Sequence, residues 1–175
     1  RSTNPANWKE NKTKAMPSLI VSSRNPRFLL LVPKVTYQNL LNLVKTGNLK
    51  AEPSDRKEFE GLVRSGLVRL TDAQRTVLSL ESRFDLAYNA SHALALAALR
   101  LKGFRSENRY LVFQSLAHTL EIPAAEWRVL ALCHERRNLA EYEGTIEIDE
   151  QLLSDLLRIT AHLADSLKFI STSAQ

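Results

Sequence analysis

A single cysteine, Cys133, in a chain of 175 residues excludes an intramolecular disulfide, and no cluster of Cys and His has the spacing of a zinc site. Both absences fit a reducing compartment, so the cytoplasm is the expected location. Long apolar runs are missing too. Phe28-Leu29-Leu30-Leu31-Val32 falls far short of the roughly 20 residues that cross a bilayer. Arg24, Arg27 and Pro33 crowd that run and no small-residue cleavage site follows, which argues against secretion and against a membrane role. Neither GxxxxGK[ST] nor GxGxxG occurs, so no nucleotide-cradling loop and no cofactor is expected, and GxSxG is absent as well.

Glycine and proline are scarce, at five and six residues, while Ala, Leu, Arg and Glu abound. These side chains lose little freedom in a helix, so an all-α chain is expected. Apolar residues at 44 % and charged residues at 25 % suffice for one globular domain of this length. The net charge of +5 permits an anionic partner, but much of the excess sits before residue 35, where Lys and Arg outnumber the single acid Glu10.

Residues 1–33 lack helical periodicity and are read as a flexible arm outside the fold, which leaves open that part of it is upstream or vector sequence; a basic nucleic-acid arm is the alternative. Residues 34–175 then form the single helical domain. Thr36 is a plausible N-cap for a first helix ending at Gly47, and Asp55 with Glu58 has capping-box spacing for a second. Thr71 with Gln74 repeats that signal and predicts a break near residue 70. The most helical stretch runs from Ser82 to Lys102 and stops at Gly103. Phe84, Ala87, Tyr88, Ser91, Ala95, Ala98 and Leu99 make its apolar stripe, and Asp85, Asn89 and His92 a polar one. Ser106 can cap the next helix, Pro123 fits the first turn of a long helix from Ala124 to about Tyr142, and Asp149 caps the last. Thr145-Ile146-Glu147-Ile148 alternates like a strand but has no partner strand, and is read as a loop. Five or six helices joined by short connections predict an antiparallel helical bundle.

Of the four histidines, His118 follows Gln114 by one turn and His162 lies among leucines, where a structural role is the default. No HExxH-like spacing appears, so no metal site is expected. The helix from Ala124 is different. His134, Asn138 and Tyr142 recur at i, i+4 and i+8 with Arg137 and Glu141 beside them, giving one broad polar face. Arg137 and Glu141 can form an ordinary surface pair, yet Asn138 is a poor interior helix residue and needs a reason to be there.

The Ala-rich helix AYNASHALALAALRLKG, followed two helices later by RRNLAEYEG, resembles the small bacterial HEPN-domain proteins over roughly residues 55–170. The resemblance implies a dimeric helical bundle in a toxin–antitoxin or defence setting, in which many members are metal-independent endoribonucleases. The family motif is an Arg, often followed by Asn, with a His four to six residues on. Arg137-Asn138 matches its start, whereas Tyr142 stands where the His is expected and His134 lies one turn too early. Two functions follow. In one, a HEPN-like protein binds RNA or a partner protein, such as a nucleotidyltransferase-type antitoxin, through Arg136 and Arg137. In the other, Arg137, Asn138 and Tyr142 cleave RNA in a shared dimer cleft with Glu141 or His134 assisting. Asp85, Asn89 and His92 are expected as a supporting polar network, and a purely structural dimerisation bundle is the third reading.

Overall fold

The computed structural model describes residues 34–144 and 147–173, with the backbone alone described at 34–36, 140, 141, 143 and 171–173. The arm at 1–33 and the Thr145-Ile146 half of the loop lie outside the described residues. The chain is an all-α bundle, as the composition predicts. In order it forms α1 (Lys34–Lys45), β1 (Lys50–Ala51), α2 (Arg56–Ala73), α3 (Leu80–Leu101), β2 (Phe104–Arg105), α4 (Arg109–Gln114), α5 (Leu116–Thr119), α6 (Ala124–Glu143) and α7 (Glu150–Ser173). No helix among the described residues is long and apolar enough to cross a membrane.

Several boundaries follow from single side chains. The Asp55 carboxylate accepts from the backbone N–H groups of Lys57 and Glu58 at 2.7 and 3.1 Å and starts α2. Glu58 does not close the capping box, because its carboxylate turns instead to Arg100 and Arg105. Helix α3 begins at Leu80, two residues before Ser82, and Ser79 caps it by accepting from the Ser82 N–H. Asn108 caps α4 through Leu111 N, whereas Ser106 accepts from the Asn108 N–H and donates to Asn48 O. Asp149 caps α7 as its sequence position predicts, accepting from Leu152 N at 2.7 Å. Helix α1 already begins at Lys34, which places Thr36 inside its first turn.

Two expectations fail. The break near residue 70 does not occur, because Leu70 and Ala73 continue the buried stripe of α2 and the Thr71 hydroxyl donates back to Leu67 O at 3.0 Å. A small sheet also escaped the sequence: β1 and β2 pair antiparallel, Lys50 opposite Arg105 and Ala51 opposite Phe104. Strands of two residues carry no alternation to read.

Helix α3 is the centre of the molecule. Every residue of its predicted stripe is buried, and it packs most extensively on α2 and next on α7. Gly66 makes the α2–α3 approach possible. A Cβ there would lie 2.7 Å from Leu94 Cγ and 2.8 Å from Leu94 Cδ2, whereas a Cβ at Gly61, one and a half turns earlier, would meet nothing within 4 Å. The two glycines therefore predict opposite outcomes for the same substitution. Gly61→Ala is expected to stabilise the fold by about 0.5–1 kcal/mol through helix propensity. Gly66→Ala is expected to lose about 1–3 kcal/mol, because overpacking against a fully buried leucine outweighs that gain. Urea denaturation of both variants checks the pair, and a stabilised Gly66→Ala would mean that the helices can separate at no cost.

Candidate functional site

The two polar groups that the sequence separates by about fifty residues meet at the seam of α3 and α6. Helix α6 contributes His134, Arg137 and Asn138; α3 contributes Asp85, Tyr88, Asn89 and His92; α4 brings Arg109 to the same place. Tyr88 is fully buried, and its Oη lies 2.8 Å from His134 Nδ1. Its ring stacks on the imidazole at 8° with centroids 6.1 Å apart. Asn138 Nδ2 lies 3.2 Å from His134 Nε2, so both ring nitrogens of His134 face polar groups of the protein. Tyr88 Oη also accepts from Arg109 at 3.4 Å. Asn138 thus has its reason for interrupting a helix: it fixes the imidazole one turn back.

Two guanidinium groups approach the Tyr88 ring, that of Arg137 at 5.3 Å and that of Arg109 at 5.7 Å from the centroid. Arg137 Nε donates to Asp85 Oδ1 at 3.1 Å, and Asn89 Nδ2 donates to the other Asp85 oxygen at 3.0 Å. Asp85 thus holds Arg137, and Asn89 holds Asp85. His92 joins from a different side, edge-on to Phe113 with ring centroids 5.9 Å apart. Burial first, then the charge of Arg109 and the neighbouring His134, push its pKa down to about 4. It is a neutral imidazole at physiological pH.

Other candidates stand apart. Tyr142 is 90 % exposed and shares no hydrogen bond with the cluster. Arg136 turns to Glu147 beyond the helix end, at 2.7 Å. The side chain of Glu141 lies outside the described residues. His162 pairs with Glu126 at 2.7 Å, the structural role expected of it. Cys133 is buried, and desolvation with the nearby Asp155 pushes its thiol up to about 12, which leaves no thiolate nucleophile. Among the described residues no group of three His, Cys, Asp or Glu could hold a metal ion.

Sequence reasoning missed Arg109 and assigned Tyr88 to the apolar stripe alone. Tyr88 could have been suspected, because a buried tyrosine hydroxyl needs a partner and the facing helices offered histidines. Nothing local marked Arg109, which follows a helix cap and reaches the cluster only through the α3–α4 turn.

Taken together, the cluster holds Arg109 and Arg137 with two imidazoles against the single carboxylate of Asp85. Planar guanidinium forks of this kind match phosphate oxygens in pairs. Comparison of the chain with protein families, with curated proteins and with solved structures finds no match.

Proposed function

We propose that this chain is a HEPN-like protein that binds RNA, taking a backbone phosphate between Arg109 and Arg137 at the α3–α4–α6 seam. The observation that carries the reading is the convergence of these two guanidinium groups on one tyrosine ring, 5.3 and 5.7 Å from its centroid. Asp85, itself held by Asn89, holds Arg137, and the Tyr88–His134–Asn138 chain fixes the ring beneath it. The toxin–antitoxin or defence setting, the homodimer and a nucleotidyltransferase-type partner rest on the resemblance of the motif. Leu132, Leu139 and Tyr142, exposed on the outer face of α6, support the homodimer.

Binding is favoured over cleavage by the placement of the acid–base candidates. His134 is engaged at both ring nitrogens and acts as a positioning residue, while Tyr142 stands in solvent. Without a placed general base, rate falls by roughly 10²–10⁴-fold.

Fluorescence anisotropy with a labelled single-stranded RNA tests the proposal. Arg109→Ala and Arg137→Ala are each expected to weaken binding about tenfold, the value of one charge-assisted contact, and to reduce the salt slope by about one. Unchanged affinity in both variants would remove this seam from RNA binding. Strand cleavage by wild type in EDTA, abolished by Arg137→Ala, would restore the endoribonuclease reading.

A further inference from the structure

A cavity of about 230 Å³ lies between α1 and the α4–α5 corner, lined by Asn39, Asn42, Leu43, Thr46, Gln114 and His118. We propose that it is a nucleobase subsite for single-stranded RNA; this rests on the phosphate reading above and adds where a base is held. No charged side chain lines the cavity. Burial lowers the pKa of His118, so its imidazole is neutral at physiological pH. A phosphate, a carboxylate or a cation would find no counter-charge there. An uncharged planar ligand with donors and acceptors on its edge finds carboxamides, a hydroxyl, an imidazole face and the apolar Leu43, the groups by which unstacked bases are read.

Part of this lining is committed and part is not. Asn42 Oδ1 accepts from Gln38, and the Thr46 hydroxyl donates to backbone carbonyls of α1. The side chains of Asn39, Gln114 and His118 have no hydrogen-bond partner among the described residues. Helix α4 joins the two subsites, with Arg109 at its first position and Gln114 at its last. Five helical steps carry the chain about 7.5 Å along the axis and about 140° around it. A single strand that wraps partly round α4 would reach both.

The test measures the affinity of the full chain for a short mixed-sequence RNA and for an abasic strand of the same length and charge. Wild type is expected to bind the base-bearing strand about tenfold more tightly, the scale of one well-read base. Asn39→Leu with Gln114→Leu should bring the ratio close to one and leave abasic binding unchanged. Side-chain amide NMR signals of Asn39 and Gln114 should shift with the base-bearing strand only. Equal affinity of wild type for the two strands, or a ratio untouched by the double substitution, overturns the base subsite while the phosphate site stands. Failure of wild type to bind either strand overturns both.

Discussion

Arg100→Ala is expected to lose about 3–5 kcal/mol of stability, the cost of removing one partner from a buried ionic network. Arg100 is 1 % exposed at the end of α3. Its Nε donates to Glu58 at 2.9 Å and its guanidinium lies 3.2 Å from Glu52. Its remaining N–H groups reach the carbonyls of Pro53, Glu52 and Phe104 at 2.9, 3.3 and 3.4 Å. One side chain therefore ties the β1–α2 connection, the first turn of α2 and the start of β2 to α3. Truncation leaves these carbonyls without donors, and Arg105 alone remains to face both carboxylates. Against a typical total of about 5–15 kcal/mol, such a loss displaces the urea midpoint far beyond experimental error. Arg100→Lys should fall between, because an ammonium keeps the charge but cannot reach carboxylates and carbonyls in several directions at once. A cost below about 1 kcal/mol for Arg100→Ala, the range of an exposed ion pair, would show that the guanidinium is not held as described.

The bundle was legible because helix signals are local. The period of Phe84, Ala87, Tyr88, Ser91 and Ala95 named one part of the buried face of α3, beside which Ala90, Ala93, Leu94, Ala97 and Arg100 are buried too, and Asp55, Pro123 and Asp149 marked helix starts that the structure keeps. What failed was whatever depended on distant partners. The capping box at Asp55 and Glu58 has the right spacing, but Arg100, forty-two residues away, takes the Glu58 carboxylate. Thr71 has the residue type of a cap, yet Leu70 and Ala73 have core partners on α3 that keep the helix going.

The site divides along the same line. Asp85 and Asn89 were singled out as a polar stripe, Asn138 as a poor interior helix residue and Arg137 through the Arg-Asn pair, and the fold brings them together. The i+8 step from His134 to Tyr142 predicted a shared face, but it spans more than two turns of α6. Eight residues also turn the helix by about 80°, so Asn138 is half-buried beside His134 while Tyr142 is exposed. Arg109 and the hydroxyl of Tyr88 belong to the cluster through tertiary packing alone.

His92 predicts a loss of stability on mild acidification that a single substitution should remove. In the unfolded chain its imidazole takes up a proton near pH 6.5; in the fold, burial disfavours the charged ring, Arg109 and His134 repel it, and Phe113 offers no compensating acceptor. Between pH 6.5 and about 4 the unfolded state therefore binds more protons, so stability falls as pH falls through that window. A depression of this size corresponds to about 3 kcal/mol once the window has been crossed. His92→Gln keeps a neutral polar group of similar size and has no proton to gain. Wild type and variant compared by urea denaturation at pH 7.5 and pH 4.5 share every carboxylate titration, so the difference between their losses isolates the histidine. Parallel pH profiles would show that His92 is protonated in the fold. On the RNA-binding proposal, a phosphate held beside Arg109 would offset the repulsion that helps keep the ring neutral. RNA bound at the α3–α4–α6 seam should thus raise the His92 pKa, and the NMR titration of its ring protons should move toward higher pH when the RNA is present.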